Sequence, residues 1–160
     1  MQINKLLQTV VNQKASDIIL TVGCKPMLRL NGRLVRRICI GCKAPHVYEK
    51  RELASVGIKP EEVKNVTMYK GAGCQRCRGT GYRGRVAVFE LMELDNHLRE
   101  MTFRRDTVTE IRKYARSAGI GGLRDDGVRK IIAGITTIQE VLEITAQEYE
   151  ENESVAAAGA

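Results

Sequence analysis

Apolar residues early in the chain recur with two different periods. Ile3, Leu6, Leu7, Val10 and Val11 fall on one face of a helix, whereas Ile18-Ile19-Leu20-Thr21-Val22, closed by Gly23, is a β-prone run. Met27 to Leu30 and Leu34-Val35 flank Asn31-Gly32, the dipeptide suited to a type I′ turn. A helix followed by a strand and a hairpin is therefore predicted, with the hairpin turning at Asn31-Gly32. Tyr48 to Val56 reads as a short helix stopped by Gly57, and Pro60-Glu61-Glu62 can open a further turn.

The pattern changes after Lys70. Lys70 to Arg85 holds five glycines and no acid, which marks a purposeful loop, and Val86 to Met92 is a good strand. From Asp95 the period is helical. One helix is capped near Asp95, one runs from Thr107 to Ala118 before Gly119, one from Leu123 to Ala133 before Gly134, and one from Thr137 to about Tyr149. The fold class predicted is α+β. Residues 1–37 would form a small helix plus hairpin, 38–94 a tetracysteine zinc-ribbon-like module, 95–149 a C-terminal helical bundle, and 150–160 a disordered tail without periodicity.

Composition sharpens this picture. The 160 residues include only 4% aromatics and no Trp, so the core is modest and a second stabilising device is expected. The net charge of +7 is unevenly spread: eight Lys or Arg against Glu49 alone between Lys25 and Arg51, and six acids with no base from Glu140 to Glu153. A basic face of this kind suits nucleic acid, anionic lipid or an acidic protein surface, or is simply solvated. No stretch is long and apolar enough to span a bilayer, and the N-terminus lacks a signal-type cleavage site, so a cytoplasmic protein with reduced cysteines is expected.

Four of the five cysteines come as two pairs, Cys39-Ile-Gly-Cys42 and Cys74-Gln-Arg-Cys77. Each pair can wrap two thiolates around one face of a tetrahedral ion, and together they fit a structural zinc site with every position filled by sulfur. Iron in a rubredoxin-like site and a redox dithiol or disulfide are the alternatives. Gly79 and Gly81 follow the second pair and can aim backbone N–H groups at the sulfurs. Four thiolates around a divalent ion leave two negative charges, and Lys43, Arg76 and Arg78 stand beside the ligands in sequence. Cys24 is a lone cysteine, best read as a small half-buried residue or else a reactive thiol. His46 is a substitute ligand only if a cysteine is displaced, and His97 opens a polar helix and should face solvent.

Nucleotide chemistry has no counterpart in this pattern. A phosphate-binding G-x-x-x-x-G-K-[ST] loop is missing, since no Gly is followed by Lys. Neither the Gly71–Gly84 cluster nor the Gly119–Gly122 cluster leads into a Lys-Ser/Thr helix start. No catalytic or cofactor-binding residue is assigned, and no ATP site is expected.

The segment Gly73-Cys74-Gln-Arg-Cys77-Arg-Gly-Thr-Gly-Tyr-Arg-Gly84-Arg85-Val-Ala-Val-Phe-Glu90 resembles the zinc-binding region of type II secretion and type IV pilus assembly ATPases, the secretion-system E-protein family. Arg33-Leu34-Val35-Arg36-Arg37-Ile38-Cys39, Leu123-Arg-Asp-Asp-Gly127 and Gly134-Ile-Thr-Thr-Ile-Gln-Glu-Val141 extend the likeness. Residues 1–35 separately resemble the opening of that family's N-terminal domain, through Ala15 to Gly23 and Pro26 to Val35. The two likenesses overlap at Arg33-Leu34-Val35, as they would if the nucleotide-binding core had been lost between them.

The resemblance implies metal ligation by Cys39, Cys42, Cys74 and Cys77, and it transfers no nucleotide-binding residue. The expected function is that of a truncated, non-catalytic zinc-binding portion of a secretion or pilus motor. Its partners would be motor subunits and the inner-membrane platform protein, with no specific nucleic acid, a homo-oligomer being compatible. The location would be cytoplasmic or peripheral at the inner membrane. The second reading is a free-standing zinc-ribbon interaction module, because Cys74-x-x-Cys77-x-Gly79-x-Gly81 also resembles the J-domain chaperone zinc repeat. On the first reading residues 1–37 have lost most of their sheet. They are then the least ordered part, with Ile18, Leu20, Val22, Leu28 and Leu30 seeking an apolar surface or pairing between chains.

Overall fold

A computed structural model describes residues 17–19 and 25–146, which places the predicted helix over 3–11, Leu20, Val22, Cys24 and the tail over 150–160 outside the described residues. The class is α+β. Strands β1 (Asp17–Ile19), β2 (Met27–Ile38) and β5 (Tyr82–Glu93) form one sheet in the order β1-β2-β5, and β3 (Lys43–Pro45) pairs with β4 (Tyr69–Gly71) in a second. The helices are α1 (Lys50–Ser55), α2 (Asn96–Arg104), α3 (Val108–Ser117), α4 (Leu123–Ile132) and α5 over 138–146.

Two compact units emerge, each discontinuous in sequence: Met1–Gly32 with Phe89–Leu123, and Arg33–Val88 with Arg124–Ala160. They cut across the serial segments 1–37, 38–94 and 95–149, because each joins an early stretch of strand to helices from late in the chain.

In the first unit β1 runs antiparallel to β2 with Ile18 opposite Leu28. Leu28, Met92, Leu94, Leu98, Met101 and Ile111 make a buried apolar cluster on which Ile18, Leu30, Tyr114 and Ile120 pack. The apolar residues of the early strands thus find their surface on α2 and α3. The caps follow the local chemistry: Asp95 accepts from the Leu98 N–H at 2.7 Å to start α2, and Thr107 forms a reciprocal capping box with Glu110 to start α3.

The Asn31-Gly32 hairpin is corrected by the structure. β2 is one strand of 12 residues running straight through the dipeptide, and Gly32 lacks the positive φ that a type I′ turn needs. Pairing overrides the turn signal here, since β2 has neighbours on both sides. Gly32 instead makes room for the Phe89 ring, whose carbons lie 3.4 and 3.5 Å from where a Cβ would stand.

In the second unit Tyr48, Leu53, Val56, Ile58, Met68, Ile131, Ile138 and Val141 form the apolar cluster. Gly127 sits within α4 because α5 passes against it: a Cβ there would lie 2.6 Å from Val141 Cγ1. The helices after Asp95 therefore serve two cores, α2 and α3 one, α4 and α5 the other.

Candidate metal centre

Both cysteine pairs sit on tight turns in the second unit. Cys42 N–H donates to the Cys39 carbonyl at 3.1 Å, and Cys77 N–H to the Cys74 carbonyl at 3.2 Å, the latter turn forming a 3-10 helix over Gln75–Cys77. The turns are held to each other by backbone. Ala72 N–H donates to the Cys42 carbonyl and Cys39 N–H to the Gly81 carbonyl, both at 2.9 Å. β3 and β4, joined Lys43 to Gly71, lie directly beside these bonds. At Gly71 and Gly81 the chains approach so closely that a Cβ on Gly71 would stand 2.0 Å from the Gly81 oxygen, and Gly81 itself has φ +77. No other residue type fits there.

The result brings the four predicted sulfurs together. Cys39, Cys42, Cys74 and Cys77 present Sγ atoms that all lie within 4.8 Å of one another. Three of the separations are 3.9 Å (Cys39 to Cys74), 3.8 Å (Cys42 to Cys77) and 3.7 Å (Cys74 to Cys77). A disulfide needs sulfurs about 2.05 Å apart, so these are four separate thiols. A tetrahedron with metal–sulfur bonds of about 2.3 Å has edges of about 3.8 Å. The donor set therefore has the size and the softness for a tetrahedral ion such as zinc or iron.

Hydrogen bonds already favour charge on one sulfur. Cys77 Sγ accepts from the Cys74 N–H at 3.2 Å and the Gly81 N–H at 3.3 Å. Burial opposes ionisation of Cys77, but these N–H groups and the neighbouring thiols of Cys74 and Cys42 outweigh it and bring its pKa down to about 6. Cys42 goes the other way, pushed up to about 12 by burial and by the adjacent sulfurs, against a weaker pull from the Gly73 N–H. One thiolate forms readily, while a second charge beside it needs a cation. The arrangement can bind a soft metal and knit two turns; with four protein ligands it leaves no position for a reacting water.

The other residues singled out from sequence lie elsewhere. His46 packs edge-on against Tyr48 with centroids 4.6 Å apart and does not join the sulfur group. His97 is exposed and rests on Tyr114. Among the neighbouring cations, Lys43 Nζ stands 4.1 Å from the Tyr69 ring centroid and Arg76 lies across Gly41, its Cδ 3.1 Å from where a Cβ would be.

One feature of the surroundings had no local signal. Glu140, 4% exposed, accepts from the Arg36 N–H at 2.8 Å and from Arg36 Nε at 2.9 Å. The guanidinium lies 4.4 Å from the Tyr82 ring centroid, Tyr82 hydroxyl bonds Thr137 Oγ1 at 2.8 Å, and Thr136 Oγ1 donates to the Arg36 carbonyl at 2.8 Å. The start of α5 is thereby fastened to the strands that lead into and out of the cysteine turns. Only the family likeness around Gly134 to Val141 draws attention to these positions in sequence.

A family model described as type II/IV secretion system protein matches residues 24–143, a span that contains all four cysteines and the Arg36–Glu140 pair. The chain belongs to this family. It is 42% identical over 118 residues to the type IV pilus assembly ATPase PilB of Thermus thermophilus, covering 74% of this chain and 13% of that protein. To the type II secretion system protein E of Pseudomonas aeruginosa it is 38% identical over 116 residues, 72% of this chain and 22% of the relative. A third relative is the PilB of Myxococcus xanthus, 35% identical over 136 residues, 80% of this chain and 24% of the relative. The chain thus spans between 13% and 24% of the length of these family members. No helix among the described residues is long and apolar enough to cross a membrane.

Proposed function

We propose that this chain is the zinc-binding, non-catalytic portion of a secretion or pilus assembly motor protein, joined at Arg33–Val35 to the opening of the N-terminal domain. The four sulfurs at tetrahedral spacing, in a member of this family, carry the reading. The metal assigned is structural Zn2+, held by Cys39, Cys42, Cys74 and Cys77, because soft thiolates filling all four positions suit it and leave no open site. It would supply cross-linking of the two turns, with the Cys74 and Gly81 N–H groups supporting the Cys77 sulfur.

Phosphoryl transfer needs a phosphate-cradling loop and metal-binding acids to position and stabilise the reacting groups. The sequence offers no Gly-Lys dipeptide from which to build the loop. The role left is interaction, with motor subunits and the membrane platform as partners, at the cytoplasmic face of the inner membrane or in the cytoplasm. The free-standing chaperone-like zinc module gains less support, since the family match extends well beyond the Cys74–Gly81 repeat on both sides.

Elemental analysis of the purified chain should give one zinc per molecule, and assays with ATP and Mg2+ should give no turnover above buffer. Hydrolysis that follows the protein through purification, or a chain with four intact thiols that takes up no zinc, would overturn the reading.

A further inference from the structure

The cysteine turns sit in a region without negative side chains of its own. No Asp or Glu occurs between Lys25 and Tyr48, nor between Val63 and Phe89. Arg36 is satisfied by Glu140. Arg33, Arg37, Arg76, Arg78, Arg83 and Arg85 are all exposed, and among the described residues none is joined to a carboxylate. A site of four thiolates holding a divalent ion is a net dianion, two charges against six guanidinium groups.

Two of these arginines share a defined place. Arg76 and Arg83 line a hollow of about 140 Å³ with Cys39, Ile40 and Gly41, and Ile40 is 76% exposed there. Arg37 and Arg83 stand on neighbouring strands, each two residues from the Cys39 N–H to Gly81 carbonyl bond. Like charges gathered this way, in excess of the two that the sulfur site would offset, are stabilised by a further anion, and no carboxylate of the described residues is joined to them. The cations are arginines, whose planar forks match a carboxylate in two parallel bonds. A partner seated on Ile40 would exclude water from such a pair, and Arg is among the residues enriched at protein interfaces, whose buried centre is apolar. A concave lip of one isoleucine does not suit insertion into a flat bilayer, and a nucleic-acid backbone has no use for it.

We infer that this hollow docks an acidic protein segment, with a Glu or Asp side chain between Arg76 and Arg83 and an apolar neighbour on Ile40. The inference rests on the zinc-binding reading, because the hollow is walled by the cysteine turns, and it names the chemistry of the partner that reading left open.

The test uses the full chain with its zinc content measured in every sample. A fluorescent synthetic peptide of Glu-Glu-Leu repeats is titrated by anisotropy, beside a Lys-Lys-Leu control, phosphatidylglycerol vesicles and duplex DNA. Saturable binding of the acidic peptide is expected, weakened about tenfold by Arg76→Glu with Arg83→Glu and to a smaller degree by Ile40→Ser, at unchanged zinc. If the double variant loses zinc, Arg83→Gln, outside both turns, carries the test with the same direction. Absence of saturable binding by a zinc-loaded chain, binding insensitive to these substitutions, or tighter binding to vesicles or DNA would overturn the inference while leaving the zinc reading standing. A chain without zinc fails the earlier reading instead.

Discussion

The two units solve the same problem, a small chain with few aromatic residues, by different means. The first relies on apolar packing: Leu28, Leu94 and Leu98 are fully buried and the polar groups around them are mostly helix caps. The second has an apolar cluster too, but its glycine-rich turns offer few large apolar side chains to pack. There the order comes from the four sulfurs, from backbone bonds between turns, and from Arg36 fastened to Glu140. A region rich in glycine gives up apolar area in exchange for close backbone approach, and the proposed zinc, a ligand that binds only the folded form, would offset that loss.

On the zinc-binding proposal, that contrast is broken most directly by removing the metal. Structural zinc contributes an apparent free energy of about 10–16 kcal/mol in small zinc domains, far more than the glycine-rich turns can replace. Chelation or Cys77→Ser should abolish hydrogen-exchange protection from Cys39 to Glu90 in the second unit. Amides of α2 and α3 should keep theirs. Equal loss in both units would show that they are not energetically separate, and retained protection around the cysteines would show that the metal is not what holds them.

The converse experiment cuts the apolar unit. Leu98 is fully buried between the sheet residues and α3, so Leu98→Ala should cost about 2–5 kcal/mol, the transfer term plus the cavity left behind. Urea unfolding followed by a probe on α3 should register the loss, while zinc stoichiometry stays the same. A fall in bound zinc would place Leu98 upstream of the metal site.

Within the second unit the ion pair is asymmetric, which sharpens the comparison further. Glu140 is buried, whereas the Arg36 side chain is about half exposed. Arg36→Leu leaves a buried carboxylate with only the residue 36 backbone N–H as partner, a loss toward the lower end of the range for broken buried pairs, about 3 kcal/mol. Glu140→Gln leaves a guanidinium that water can solvate and a side chain that still accepts from that N–H, so it should cost less. Urea midpoints of the two variants read the difference. Equal costs would mean that Glu140 is better hydrated than its burial suggests.

Much of this was legible in the residues where the governing chemistry is local. Asp95 and Thr107 cap helices, and Gly119 and Gly134 end them, as their types and positions foretell. The cysteine pairs are likewise short-range features, and they converge in space at a spacing that a tetrahedral ion could use. What failed or stayed hidden depends on partners distant in sequence. Asn31-Gly32 is a strong turn signal until neighbouring strands claim its backbone groups. Glu140 reads as one acid among many, and nothing local shows that it pairs with a residue 104 positions away. The β3–β4 pair was absent from the expectation because three-residue strands carry no period to read.

The smallest effect belongs to the cap of α2, and it separates charge from capping geometry. Burial disfavours ionised Asp95, but the Leu98 N–H and the Tyr114 hydroxyl, 2.7 Å from Oδ2, outweigh it and hold the carboxyl below its ordinary value near 3.8. A folded pKa below the unfolded one means that the stabilisation is complete above that ordinary value and is lost as pH falls through the lower folded value. Asp95→Ala should cost about 1 kcal/mol at neutral pH through loss of the cap. Asn caps as well as Asp, so Asp95→Asn should keep most of that stability at neutral pH while removing this acid-linked loss. The probe must sit on α2 or α3, because the thiolates proposed to hold zinc would protonate and release it as the solution is acidified, and the second unit would then report its own transition. If Asp95→Asn retains the full acid sensitivity of the parent at α2, the titrating group that governs the first unit lies elsewhere, and apolar packing with neutral caps is the whole of what holds that unit.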